Sequence, residues 1–152
     1  MDRTATGIPG LDELLQGGFP QGSTVLVSGS TGTGKSILAL QYLYYGANNN
    51  EPGVYSTMEN SREDVIEQAS QFGWDVERLE NENKLVINVM KGPVSEFACD
   101  GVITLHQLGV GVREFRSLRI VKLRKTKHKE GHVPLIIGEN GIEIKEEEKF
   151  NP

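Results

Sequence analysis

Gly29-Ser30-Thr31-Gly32-Thr33-Gly34-Lys35-Ser36 follows the phosphate-loop pattern G-x-x-x-x-G-K-[S/T]. The glycines let the backbone close into a tight loop whose N–H groups point inward, where phosphate oxygens can meet them. The ammonium of Lys35 suits the β- and γ-phosphates of a nucleoside triphosphate, and the hydroxyl of Ser36 suits Mg²⁺. A helix starting near Lys35 adds the positive end of its dipole. The expected ligand is ATP with Mg²⁺, held by residues 29–36, with Ser36 the metal-facing group. A ligand-free, glycine-rich turn is the alternative reading.

Such a loop works only between a strand and a helix. Thr24 to Ser28 is a short, β-branched apolar run, read as a buried strand. Ser36 to Ala47 is apolar nearly all round, as in a helix packed on more than one side. Ahead of them, Leu11, Leu14 and Leu15 form one face of a short helix that Gly17-Gly18 stops, and Gly18 to Gly22 reads as a turn. Val54 to Met58 and Leu85 to Met90 are further strand candidates. Between them Ser61 and Asp64 resemble a capping box, opening a helix to about Phe72. Gly92-Pro93 is a break.

Beyond it, Val102 to Leu105 reads as a short strand. Leu118 to Lys125 alternates apolar and basic residues, with a slip at Ile120-Val121. Val133 to Ile137 and Ile142 to Ile144 complete an antiparallel set, turned at Asn140-Gly141. The last residues are expected to fray.

The 152 residues suit one domain. A hydrophobic fraction of 37% and a charged fraction of 24% exclude a disordered tail. A net charge of −5 counts against nucleic acid as the main partner, although Arg116 to Lys129 holds seven basic residues and no acid. The lone Cys99 can form neither an internal disulfide nor a zinc cage, and His106, His128 and His132 lack metal-ligand spacing. No apolar run approaches the roughly 20 residues that cross a bilayer, and no leader is evident. A reducing, cytoplasmic setting away from membranes is therefore expected.

Several stretches share the order of a known family. Thr6-Gly7-Ile8-Pro9-Gly10-Leu11-Asp12-Glu13-Leu14-Leu15 precedes the loop, and Gln41-Tyr42-Leu43-Tyr44-Tyr45-Gly46-Ala47 and Phe72-Gly73-Trp74-Asp75 follow it. Asp100-Gly101-Val102-Ile103-Thr104-Leu105, Val121 to His128, and the hairpin ending Asn140-Gly141-Ile142-Glu143-Ile144 come later. With these motifs the chain resembles the KaiC-like branch of the RecA/RadA ATPase superfamily.

The resemblance implies an α/β fold: a RecA-like P-loop sheet with flanking helices and a C-terminal β-hairpin region. It also implies self-association in a ring, a hexamer among the options. Glu59 matches the carboxylate that polarises the attacking water; its neighbour, commonly a second acid, is Asn60 here. Lys122 and Arg124 match paired cations that reach the γ-phosphate held by a neighbouring subunit. Two cations at alternate strand positions do project from one face. Glu59 as a surface acid opening a helix, and Lys122 and Arg124 as a solvated strand face, remain alternatives. The catalytic set under this reading is Glu59, Lys35, Lys122 and Arg124.

The resemblance also implies a shortfall. Between about Val89 and Glu96 the family carries the Walker B strand, ending in an Mg²⁺-holding Asp, and a further core strand with its helices. Leu85 to Met90 ends in Lys91, and Asp100 precedes a strand, so neither supplies that acid. The chain is expected to be one truncated domain over 1–152. The leading function is an ATP-binding module whose hydrolysis is weak or depends on assembly. A non-catalytic, nucleotide-binding regulatory module and a RecA-like nucleic-acid-binding protein are the alternatives, the last not favoured.

Overall fold

The computed structural model of the chain describes residues 1–90, 99–110 and 113–145. The elements in chain order are β1 (Arg3–Thr4), α1 (Leu11–Leu14), β2 (Phe19–Pro20), β3 (Val25–Gly29), α2 (Lys35–Asn48), β4 (Gly53–Thr57), α3 (Arg62–Ser70), α4 (Val76–Asn81), β5 (Leu85–Val89), β6 (Gly101–Val110), β7 (Arg113–Leu123), β8 (His132–Gly138) and β9 (Gly141–Ile144). The break expected at Gly92-Pro93 and the fraying expected past Lys145 lie outside the described residues.

The strands form three sheets: β1-β2, β3-β6-β7-β8-β9, and β4-β5. β3 runs parallel to β6, and β4 parallel to β5; the remaining pairs are antiparallel. This is the mixed α/β architecture expected. The segment Gly18 to Gly22, read as a turn, contains β2 instead, because Phe19 and Pro20 pair with Thr4 and Arg3. Pro20 fits there because a two-strand ribbon leaves its missing N–H facing outward. Val102 to Leu105 lies in the first half of a ten-residue strand rather than forming a short one.

Helix α2 joins the two larger sheets. Leu38 lies in a core with Ile8, Leu11, Ile103, Leu118 and Ile142. Leu40 lies in a second core with Tyr55, Val65, Trp74, Leu79 and Leu85. Apolar residues all round the helix are thus required, since it is buried on two sides. Gln41, also buried, clamps α2 to β9: its Nε2 donates to the Ile142 carbonyl at 3.0 Å and its Oε1 accepts from the Ile142 N–H at 2.6 Å. Gly141, at φ 110°, is close-packed against this clamp; a Cβ there would stand 2.5 Å from the Trp74 ring.

Local chemistry sets the ends of α3 and α4. Ser61 and Asp64 form the expected capping box, the Ser61 hydroxyl accepting from the Asp64 N–H and the Asp64 carboxylate from the Ser61 N–H. The side-chain hydrogen bond with Ser61 and then the backbone one hold the Asp64 carboxyl below its ordinary range. Helix α4, not anticipated, is opened by the Asp75 carboxylate accepting from the Arg78 N–H. Its six residues are too few to show a helical period.

The slip read at Ile120-Val121 is a β-bulge. Val102 pairs with Lys122 and Ile103 with Ile120, leaving Val121 over. The extra residue keeps Leu118, Ile120 and Leu123 all inside while Lys122 and Arg124 face out. Thr24 to Ser28, read as buried, is at most half-buried: among the described residues β3 ends its sheet, and Leu26 is 47% exposed.

Gln41→Leu removes both partners of Ile142 and is expected to cost about 1–3 kcal/mol, the range for orphaned buried polar groups, measured by urea unfolding. Asp64→Asn is expected to lower stability at neutral pH. Because the folded-state carboxyl is depressed, the gap from the parent should close as pH falls through the carboxylate range, and a gap independent of pH would disprove the cap's ionic character.

Candidate functional site

Strand β3 ends at Gly29, and the chain turns through Ser30 to Gly34 into α2. The turn needs glycine where it has it. Gly32 and Gly34 sit at φ 81° and 103°, and a Cβ on Gly29 would stand 2.5 Å from the Leu105 carbonyl oxygen. Thr33 is fully buried and ties the loop, its Oγ1 donating to the Ser30 carbonyl at 2.8 Å. The Lys35 ammonium folds back over the same loop, donating to the carbonyls of Gly29 at 2.7 Å and Ser30 at 2.9 Å. Gly34 caps α2 without a side-chain acceptor, and no acid lies in the first turn. The leading amides of α2 are therefore left to whatever occupies the cleft.

The cleft beside this loop has a volume of about 250 Å³ and is lined by Thr31, Gly32, Gly34, Lys35, Ser36 and Ile37, with Glu59 and Gln68 opposite. Glu59 follows β4 and is exposed; the Asn60 N–H is turned back onto the Thr57 hydroxyl at 3.2 Å. Tyr55, on β4, has its phenol pushed above the ordinary range by burial, with the nearby Ser36 side chain acting in the opposite direction. Tyr55 thus stays protonated at neutral pH.

The structure brings Gly29, Ser30, Thr31, Gly32, Thr33, Gly34, Lys35, Ser36 and Glu59 to one place. Lys122 and Arg124 lie elsewhere. Lys122 is level with Val102 and so with Leu26, near the start of β3, about 10 Å along the sheet from the loop at 3.3 Å per residue. Its ammonium donates to the Cys99 carbonyl at 3.2 Å, and Arg124 pairs with Asp100 at 3.6 Å. Asp100 itself accepts from the Thr24 N–H, so it too sits at the far end of β3.

Arg116 is the cation next to the loop. It stands opposite Gln107 on β6, beyond the end of β3, and its Nε donates to the Gly32 carbonyl at 3.3 Å. Sequence reasoning placed it only within a basic run, and Gln68 and Tyr55 were not singled out at all. Nothing local marks them: Arg116 reaches the loop across 84 positions, and only the strand pairing shows it.

The residues fit a polyphosphate. The loop offers open amides, an ammonium already inside it and glycines that admit close approach. Mg²⁺ fits less completely, because the cleft lining carries one carboxylate, Glu59, beside the Ser36 hydroxyl, and no group of three or more His, Cys, Asp or Glu suited to a metal occurs among the described residues.

A family model described as "ATPase: KaiC" matches residues 4–93 and 88–149. The circadian clock oscillator protein KaiC of Prochlorococcus marinus is 35% identical over 127 residues, covering 79% of this chain and 25% of that protein. A UPF0273 protein of Thermotoga maritima is 40% identical over 128 residues, covering 84% and 52%. The chain therefore spans about a quarter to a half of the length of these relatives. The crystal structure of a KaiC-like protein from Pyrococcus horikoshii superposes with a TM-score of 0.86 at 28% identity, covering 95% of this chain and 99% of that one. The match to KaiC of a Picosynechococcus strain runs over 229 residues, more than the 152 present here, and the two family-model segments meet just after β5. Relatives thus carry chain between β5 and β6 that has no counterpart here.

Arg116→Ala is expected to leave global stability within about 0.5 kcal/mol, as for a surface change. Amide exchange at Thr31 to Gly34 should nonetheless rise severalfold by mass spectrometry; unchanged exchange would show that the contact does not hold the loop.

Proposed function

The chain belongs to the KaiC family of ATPases, and on that premise we propose that it binds MgATP in the Gly29–Ser36 loop and hydrolyses the β–γ bond slowly, at a rate governed by self-association. The observation that carries the reading is the uncapped start of α2 with the Lys35 ammonium folded into the loop, facing Glu59 across one cleft. Phosphate oxygens take over the carbonyl partners of Lys35 and neutralise it, which the two backbone oxygens cannot do. The Ser36 hydroxyl would hold Mg²⁺, and the ion would supply charge neutralisation on the triphosphate.

Glu59 is placed to orient water and accept its proton as the water oxygen bonds to the γ-phosphorus. The bridging bond breaks, and its electron pair leaves with ADP. Arg116 approaches the loop within the same chain, whereas Lys122 and Arg124 face solvent at the far end of β7 and are suited to a nucleotide held by a second copy. This is why the rate is expected to depend on assembly.

A regulatory module that binds nucleotide without turnover is the second reading. It is favoured by the cleft's single lining carboxylate, Glu59, and by Asn60 beside it.

Calorimetric titration with MgATP and phosphate-release assays on one preparation separate the two. Lys35→Ala should abolish binding. Glu59→Gln should retain binding and lose about 10²-fold or more of turnover, the scale of a general base. Arg124→Ala should reduce turnover while leaving affinity in the isolated chain unchanged. Binding without turnover at every protein concentration would move the chain to the regulatory reading, and no binding by the parent would end both.

A further inference from the structure

The outward face of the five-stranded sheet joins two histidines that the sequence keeps far apart. Leu105, Leu118 and Val133 point into the core, so their neighbours Thr104, His106, Ser117, Arg119 and His132 share the opposite face of β6, β7 and β8. In the register His106 stands beside Ser117 and His132 beside Arg119, so the two histidines flank β7 on a diagonal. Ser117 is small enough to let the rings meet across β7. Their centroids are 4.7 Å apart and their planes cross at 68°. One nitrogen of each ring is engaged by a hydroxyl: His106 Nε2 with Thr104 Oγ1 at 2.9 Å, and His132 Nδ1 with Ser117 Oγ at 3.0 Å. His106 Nδ1 and His132 Nε2 have no hydrogen-bond partner among the described residues.

We propose that His106 and His132 form a binding site for one divalent transition-metal ion of the Zn²⁺ and Cu²⁺ class, separate from the phosphate loop. Two imidazoles on one ion, at metal–nitrogen distances of about 2.0–2.1 Å and angles of roughly 90–110°, have ring centroids about 4.5–5.2 Å apart. The observed separation falls inside that window. A face-to-face stack would hold the lone pairs parallel, whereas crossed rings can aim them at one point. The hydroxyls favour the tautomers that binding needs. With the proton on His106 Nε2 and on His132 Nδ1, each ring donates to its hydroxyl and keeps a lone pair on the other nitrogen. Such outer partners orient metal-binding imidazoles and raise their basicity. The surrounding residues set the selectivity. Thr104, Ser117 and Arg119 bring one cation and no carboxylate, so Mg²⁺ and Ca²⁺, which need anionic oxygens, have no ligand set here. Imidazole nitrogen suits Zn²⁺ and Cu²⁺ instead. Water fills the remaining coordination positions, which the exposure of His132 admits. A bound ion ties β6 to β8 one register step from Arg116, the cation that reaches Gly32.

Calorimetric titration of the tag-free, nucleotide-free chain with ZnCl₂ tests the inference. One Zn²⁺ per chain is expected, retained against excess MgCl₂ and displaced by CuCl₂, since Cu²⁺ binds nitrogen sites more tightly. His106→Gln and His132→Gln should each weaken Zn²⁺ binding by more than about tenfold, the least that loss of a mere outer partner costs a metal site. His128→Gln, outside the pair, should leave it unchanged. On the parent, Zn²⁺ should shift the imidazole resonances of His106 and His132 but not those of His128, a readout that needs no variant to fold. Zn²⁺ binding indifferent to both substitutions would mean an adventitious ion only and overturn the site, as would a parent that binds no Zn²⁺. One ion per two chains would overturn it too, because the ligands would then lie on different copies.

Discussion

Everything in this molecule hangs on α2 being buried from two directions. Leu38 faces the core under the five-stranded sheet, and Leu40, two residues on, faces the core under β4-β5. Opposite faces of one helix thus hold together two sheets that share no strand pairing among the described residues. Burying a leucine fully contributes about 1.5–3 kcal/mol, so a few residues on each side suffice. The Gln41 clamp on Ile142 adds direction to what is otherwise non-directional burial. It fixes how far α2 lies along β9, and with it where the start of α2 stands.

That start is where the chemistry is. The helix held by its middle presents its first amides, Gly34 at φ 103° and the Lys35 ammonium into a cleft whose other wall, with Glu59, belongs to the second half. Binding groups and the candidate water-activating group therefore come from different cores, joined through one helix. Among the described residues, β3 is the last strand of its sheet and β4 pairs only with β5. The connection between β5 and β6 is shorter here than in relatives.

How much of this could be read in advance varied with how local the cause was. The phosphate loop, the Ser61–Asp64 box, the bulge at Val121 and the hairpin before Gly141 were legible, because each is decided within a few residues by φ preference, a side-chain cap or alternation. Helix α4 was missed because six residues carry too little periodicity. β2 was missed because Pro20 suggests a turn unless its partner strand is known. The burial of β3 was misjudged because Val25 to Ser28 looks the same whether one neighbour is present or two.

By itself the sequence determined the phosphate-gripping loop, the α/β class and the family, since glycine spacing, strand–helix periodicity and motif order survive without long-range contacts. Tertiary structure alone decided that Glu59 faces the loop, that Arg116 reaches Gly32 across 84 positions while Lys122 and Arg124 do not approach it, and that β3 is an edge. Those outcomes depend on strand order and register. Each is set by which apolar faces find one another, and no local run of residues specifies that.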